Sequence, residues 1–182
     1  MPLMFGVMAI AGSFAPWFLG SHYVHTGYLM FLEVPMILFI AWSSGVTGNQ
    51  YLMPVKRAHE YTLSVTIGAV INILANYVLI KLLNVDGAAV ASVISELAIA
   101  GIQLWMIRKS IVISKLLNSF WKYLLSGVVM FLIVFSINSH MIMNIFSLVV
   151  QMVTGMLIYI GLLFILKAPI IKQAYLVFKN NN

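Results

Sequence analysis

The sequence contains no cysteine and few charged residues, and these two absences restrict its function most. Without cysteine the chain can form neither disulfides nor thiolate metal sites, and it has no cysteine nucleophile. Only 8% of its residues are charged, whereas a typical globular domain has about 25%. A chain of 182 residues that is 63% hydrophobic cannot bury that much apolar surface in water. We therefore expect an integral membrane protein rather than a soluble enzyme.

The net charge of +6 arises from ten basic and four acidic residues. The basic residues lie between apolar segments, whereas nucleic-acid-binding proteins gather them in dense patches with interleaved aromatic residues. This distribution is typical of the positive-inside rule for membrane proteins. We therefore expect no nucleic-acid partner.

Apolar stretches of about 20 residues predict an all-α integral membrane protein, a bundle of about six transmembrane helices. The predicted spans cover residues 2–18, 28–44, 63–83, 87–107, 121–137 and 144–166. One bundle is expected over residues 1–179, with a frayed tail at residues 180–182. The second span is short and contains Glu33 and Pro35. The stretch that follows it, Gly45 to Glu60, has the composition of a turn-rich loop.

The lysine and arginine residues predict the orientation of these spans, because basic loops stay in the cytoplasm. Basic residues follow the second, fourth and sixth spans: Lys56, Arg57, Arg108, Lys109, Lys115, Lys122, Lys167, Lys172 and Lys179. Lys81 alone falls on the opposite side. Both termini are therefore expected in the cytoplasm, and the loop near His22 is expected outside.

Small and polar residues recur at helical spacing in the third and fourth spans. They are Ser64, Gly68, Asn72 and Asn76 in the third span, and Gly87, Ala91 and Ser95 beside Ala88, Ser92 and Glu96 in the fourth. Residues four apart lie on one helix face, and small residues allow two helices to approach closely. Since only a short turn joins these spans, we expect them to be antiparallel neighbours. Gly68, Gly87, Ala91 and Ser95 are predicted helix-packing residues.

Glu96 is the most informative residue of this group, because it lies near the middle of an apolar span. A carboxylate there is costly unless it is neutral, paired or in contact with water. Two interpretations follow: Glu96 takes part in transport, for instance in proton coupling, or it serves only as a hydrogen-bond partner between helices. Together with Asn72, Asn76 and Ser92, it is a candidate for the lining of a transport cavity.

No residues group as a catalytic, metal or cofactor site. His22 and His25 fall in a predicted outer loop, and His59 and His140 fall on opposite sides of the membrane, so the histidines predict no metal site. Phosphate-binding loops, dinucleotide-binding motifs and nucleophile elbows are absent from the sequence. We expect neither an enzyme nor a cofactor.

Three stretches of the chain resemble a known family. They are Gly48 to Arg57 (GNQYLMPVKR), Ile71 to Ile80 (INILANYVLI) and Asp86 to Glu96 (DGAAVASVISE). These stretches resemble the second lobe of bacterial polysaccharide repeat-unit flippases, in the multidrug/oligosaccharidyl-lipid/polysaccharide exporter superfamily. The resemblance extends from about Pro2 to Lys109.

The resemblance implies a transporter of the bacterial cytoplasmic membrane that works by alternating access between two helical lobes. Its substrate would be an oligosaccharide linked to undecaprenyl pyrophosphate, which it moves to the outer leaflet for capsule or exopolysaccharide export. Because the chain resembles one lobe only, we expect a truncated or split flippase that needs a first-lobe partner or a homodimer. Two alternatives remain: a membrane enzyme of glycan assembly, such as a polymerase or acyltransferase, and a non-catalytic membrane subunit.

Overall fold

The computed structural model describes residues 1–110 and 120–171, and within these ranges the chain contains helices and turns but no strand. In chain order the elements are α1 (Pro2–Leu19), a 3-10 turn (Ser21–Tyr23), α2 (Val24–Glu33), α3 (Pro35–Ile40), a π-helix (Ala41–Leu52), α4 (Ala58–Leu83), α5 (Val85–Ile107), α6 (Phe120–His140) and α7 (Ile145–Ile165). The basic residues Lys115, Lys172 and Lys179 and the predicted frayed tail lie outside the described residues.

Six helical segments of the described ranges are long and apolar enough to cross a membrane. Five of them are single helices, and the sixth is the 32-residue run Ser21–Leu52. The all-α class and the six apolar helices are therefore confirmed. Large apolar side chains point outward from them: Ile73 is 68% exposed and Tyr77 is 66% exposed on α4, where Ser64 and Gly68 are the buried residues. Such a surface is suited to a lipid environment.

Local sequence signals explain several helix ends. Pro2 and Pro35 stand at the first position of α1 and α3, where the missing N–H is not needed. Gly20, with φ of 109°, ends α1 in a conformation that favours glycine. Asn144 and Ser147 form a reciprocal cap at the start of α7, because each side chain accepts a hydrogen bond from the other residue's backbone N–H.

Two predicted loops are wrong in part. The predicted outer loop around His22 and His25 is helical, since His22 lies in the 3-10 turn and His25 lies in α2. The predicted loop Gly45 to Glu60 is also mostly helical, because the π-helix continues to Leu52 and α4 begins at Ala58. The turn composition did not exclude a helix there, because the packing of neighbouring helices overrides weak local preferences.

The π-helix is twelve residues long, whereas π-type turns in proteins are usually single bulges. Within it, the hydroxyl of Thr47 is buried and has no hydrogen-bond partner among the described residues. Gly48 packs beneath an aromatic ring, since a Cβ at this position would lie 2.5 Å from Cε2 of Tyr61. A side chain larger than hydrogen therefore cannot fit there without displacing Tyr61.

The chain divides into two compact units. The terminal unit combines Met1–Gly27 with the described residues from 120 onward, and the middle unit runs from Tyr28 to the end of the first described range. In the terminal unit, α6 packs against α1 and α7. In the middle unit, α5 packs against α3, the π-helix and, most extensively, α4. The single bundle over residues 1–179 stays a prediction.

Candidate functional site

The candidate site lies in the hairpin of α4 and α5 in the middle unit, and these two helices pack together as their short connection predicts. The chain reverses at Asn84, whose φ of 54° is tolerated by asparagine better than by most residues. Two glycines lie at close helix contacts. A Cβ on Gly87 would lie 2.1 Å from the carbonyl oxygen of Leu79, and one on Gly68 would lie 2.2 Å from Cγ1 of Ile99.

A chain of hydrogen bonds crosses this hairpin. The amide of Asn76 donates to Oδ1 of Asn72 at 3.0 Å and to its carbonyl oxygen at 2.9 Å. The amide of Asn72 donates across the interface to Oγ of Ser95 at 3.0 Å. The hydroxyl of Ser95 donates in turn to the carbonyl oxygen of Ser92 at 2.8 Å. Asn72 accepts through its Oδ1 and donates through its amide nitrogen, which fixes the orientation of its side chain.

The other predicted site residues of α5 surround the relay. Ala91 and Ser95 are buried, and the hydroxyl of Ser92 donates to the carbonyl oxygen of Ala88 at 3.1 Å. Ser92 therefore bonds within its own helix and takes part in the relay only through its backbone. Of the predicted cavity residues, Asn72 and Asn76 are the two whose side chains the structure brings together.

Glu96 follows Ser95 in α5 and is half-buried. Its carboxyl group forms no hydrogen bond or ion pair with any residue in the described ranges, so the predicted bond across the hairpin is not among them. A charged carboxylate in this position needs water, a partner from elsewhere or a proton. Among the described residues, Glu96 is thus an ionisable group of the hairpin that has no partner on either helix.

A second polar pair lies nearer the other end of the hairpin. The sequence analysis named Ser64 in the third span but missed its partner, Gln103. Gln103 is fully buried and its Nε2 donates to Oγ of Ser64 at 2.9 Å. The Ser64 hydroxyl donates its one proton to the carbonyl oxygen of Tyr61 at 2.7 Å, which fixes the orientation of the Gln103 amide. Oε1 of Gln103 therefore lacks a donor among the described residues. The sequence signal that could have identified Gln103 is an amide side chain inside an apolar span.

The terminal unit contains a similar cluster, which sequence reasoning also missed. The amide of Asn138 on α6 donates to Oγ of Ser13 on α1 at 3.0 Å and to the carbonyl oxygen of Ala9 at 3.4 Å. Gln151 on α7 donates to Oδ1 of Asn138 at 3.4 Å, while its own Oε1 has no partner in the described ranges. Asn138 thus ties α1, α6 and α7 together.

At the end of the hairpin opposite Asn84, Arg57 holds the two chain segments together. Its guanidinium contacts both carboxylate oxygens of Glu60, each at 2.6 Å. Glu60 accepts these hydrogen bonds and raises the pKa of Arg57 further above its usual value. The same guanidinium donates to Oγ of Ser110 at 3.3 Å and to the carbonyl oxygen of Met106 at 3.4 Å. Arg57 therefore links the start of α4 to the end of α5.

Within the described ranges, no three His, Asp or Glu side chains are close enough together to hold a metal ion. The chemistry that the hairpin offers is therefore hydrogen bonding through Asn72 and Asn76, together with one carboxyl group on Glu96.

Comparison of the chain with known protein families, with curated proteins and with solved structures finds no match. The resemblance to flippases rests on the three sequence stretches alone.

Proposed function

We propose that the chain forms the second lobe of a transporter that flips lipid-linked oligosaccharides across the bacterial cytoplasmic membrane, with both termini in the cytoplasm. The substrate is an oligosaccharide on undecaprenyl pyrophosphate, as the sequence resemblance implies. The observation that carries the proposal is the polar hairpin: two apolar helices contain an amide relay and a carboxyl group that has no partner among the described residues. Polar groups at such depth are costly and mark substrate or ion pathways in membrane proteins.

The charges of the hairpin support the need for a second lobe. α5 contains no basic residue, and the only lysine of α4 is Lys81 in its last turn. A pyrophosphate in a transport cavity requires basic side chains or a similar source of positive charge. We therefore expect a first-lobe partner, or a second copy of the chain, to supply that charge and to enclose the hydrophilic glycan between two alternately open states.

Complementation tests the proposal in cells that lack their own flippase for the same glycan. The chain alone is expected to leave export absent, and the chain with a matching first lobe is expected to restore it. Restoration by the chain alone, with no partner and no homodimer after crosslinking, would overturn the requirement for a second lobe. Failure with every first lobe, at normal membrane levels, would reject the flippase and favour a non-catalytic subunit.

The role of Glu96 is tested in the active two-lobe assembly. Glu96→Gln keeps the shape of the side chain but cannot ionise, so it is expected to remove the dependence of transport on external pH. Glu33→Gln is the matched control, because Glu33 is the other carboxylate within an apolar segment and lies at the end of α2. An unchanged pH profile in Glu96→Gln, normalised to membrane protein, would leave Glu96 with a structural role.

A further inference from the structure

Positive charge gathers at one end of the hairpin in the middle unit. The basic residues that flank the two helices there are Lys56, Arg57, Arg108 and Lys109. The same end contains one acidic residue, Glu60, so its formal charge is +3 when histidine is counted as neutral. At the other end of the same hairpin, Lys81 and Asp86 balance each other in formal charge.

The contacts of Arg57 bring these basic residues together. Because Arg57 reaches from the start of α4 to Ser110 and Met106, the residue before it and the two residues after α5 lie at the same end of the hairpin. The charge of Arg57 itself is offset by its paired contact with Glu60. Arg57 is thus a positioning residue, and the exposed cations of this surface are Lys56, Arg108 and Lys109.

Lys56 stands in an electrostatically unfavourable position. It lies just before the N-terminal end of α4, where the positive end of the helix dipole repels a cation. Its backbone has a φ of 60°, which residues other than glycine rarely adopt. Within the described part of the chain Lys56 forms no ion pair that would offset these costs. A bound anion would relieve the repulsion among Lys56 and its neighbours.

Trp105 indicates where this surface lies relative to a bilayer. It is 62% exposed and stands one helical turn before Arg108, whose guanidinium lies 4.4 Å from the centre of the indole ring. Exposed tryptophans of membrane helices lie at the level of the lipid headgroups. The three exposed cations therefore lie at the depth where a bilayer presents phosphodiester groups.

We propose that Lys56, Arg108 and Lys109 bind the phosphate headgroup of an anionic glycerophospholipid. The guanidinium of Arg108 is suited to paired hydrogen bonds with two phosphate oxygens, and the two lysines add point charges around them. The acyl chains then lie along the exposed apolar face of the hairpin. This site would favour anionic lipid next to α5 whether or not the chain takes part in transport.

Trp105 provides a local measure of this binding. In the full chain, Trp17, Trp42 and Trp121 are changed to Phe, and the protein is placed in vesicles of phosphatidylcholine mixed with phosphatidylglycerol. Bromine on the acyl chains of one lipid or the other quenches the remaining indole, so the two quenching curves give the relative affinity for the two headgroups. Phosphatidylglycerol is expected to be preferred by about fivefold, the effect of roughly one basic residue at an anionic surface.

Variants identify the residues that cause the preference for phosphatidylglycerol. Changing Lys56, Arg108 and Lys109 together to Gln is expected to reduce it to about one, because the headgroup ligands are removed. Changing Lys81, Lys122 and Lys167 together to Gln is the matched control, since it also removes three positive charges, none of them from this end of the hairpin, and it is expected to leave the fivefold preference intact. An equal loss in this control would mean diffuse charge attraction and would overturn the site. If the two lipids quench Trp105 equally in the protein that keeps Lys56, Arg108 and Lys109, the site is also overturned.

Two further measurements complete the test. Inorganic phosphate at 20 mM is expected to leave the lipid preference unchanged, and displacement of the lipid would instead assign the surface to free phosphate. If the triple Trp→Phe background does not fold, native mass spectrometry of the unmodified chain replaces the quenching. The site is supported if the unmodified chain retains phosphatidylglycerol in preference to phosphatidylcholine and the triple Gln variant of Lys56, Arg108 and Lys109 does not. Equal retention of the two lipids by the unmodified chain rejects the site.

Discussion

Gly87→Ala tests whether close approach of backbones holds the α4–α5 hairpin together. The added Cβ would lie 2.1 Å from the carbonyl oxygen of Leu79 and 2.3 Å from its carbonyl carbon. Ordinary contacts of a Cβ begin near 3.4 Å, so the end of α4 must move by more than 1 Å. Backbone cannot rotate out of the way as a side chain can.

The expected loss follows from this overlap. Overpacking of this kind costs roughly 1–3 kcal/mol, and the better helix propensity of alanine returns at most about 1 kcal/mol. Because the overlap is with backbone, the upper end of that range, about 3 kcal/mol, applies. We therefore expect Gly87→Ala to lower the free energy of unfolding by about 2 kcal/mol, or about thirtyfold in the equilibrium constant. Titration of the protein with SDS in mixed micelles, followed by tryptophan fluorescence, measures the change.

Two glycines provide the comparison. Gly101 lies on the same helix with nothing within 4 Å of a built Cβ, so Gly101→Ala is expected to be neutral or slightly stabilising. At Gly68 the nearest atoms belong to the side chain of Ile99, which can change rotamer, so the expected loss is about 1 kcal/mol. If Gly87→Ala is as stable as Gly101→Ala, the close backbone contact does not exist.

Further predictions concern the polar residues of the hairpin and use the same titration. Asn72→Leu removes the 3.0 Å bond to Ser95 and is expected to cost about 1 kcal/mol, whereas Thr66→Val, whose hydroxyl bonds only its own helix, should change little. Gln103→Met removes an amide whose oxygen is unpaired and should be neutral within about 0.5 kcal/mol, but Ser64→Ala orphans Nε2 of Gln103 and should cost about 1–2 kcal/mol. Equal effects of the last two changes would contradict the assigned hydrogen bonds.

The helical spans could be predicted well from the sequence, because hydropathy over about 20 residues reports directly on membrane-spanning helices. The predicted third span began at residue 63, yet α4 begins at Ala58. His59 and Glu60 are polar enough to end a hydropathy window, but they lie in the first turn of a helix where they can reach water. Hydropathy therefore locates the apolar part of a helix and not its ends.

The π-helix could not be predicted, because its residues carry no periodic apolar pattern. Gly45, Gly48 and Asn49 favour turns when isolated, and only contact with α4 and α5 makes a helix there stable. The position of Gly48 under the ring of Tyr61 is such a contact, and it joins two residues of different elements. No local pattern in the sequence predicts this contact.

The candidate site was partly foreseeable. The four-residue spacing of Gly68, Asn72 and Asn76 places them on one face of α4, and the structure puts Asn72 in contact with Ser95 of α5. Gln103 was overlooked because no second polar residue repeats at helical spacing beside it. Its partner, Ser64, lies on another helix, and such a pairing depends on the packing of the two helices rather than on the sequence of either.

The central claim is that α4 crosses the membrane with its basic end in the cytoplasm. The transport proposal depends on this orientation, and the lipid proposal depends on the basic end lying at a membrane surface. The chain has no cysteine, so single cysteines can be placed at its two exposed ends, as His59→Cys and Leu83→Cys, without background labelling. A membrane-impermeant maleimide added to intact cells is expected to label Leu83→Cys at once and His59→Cys only after the membrane is opened. Labelling of both positions from the same side, or in the reverse order, would contradict the account.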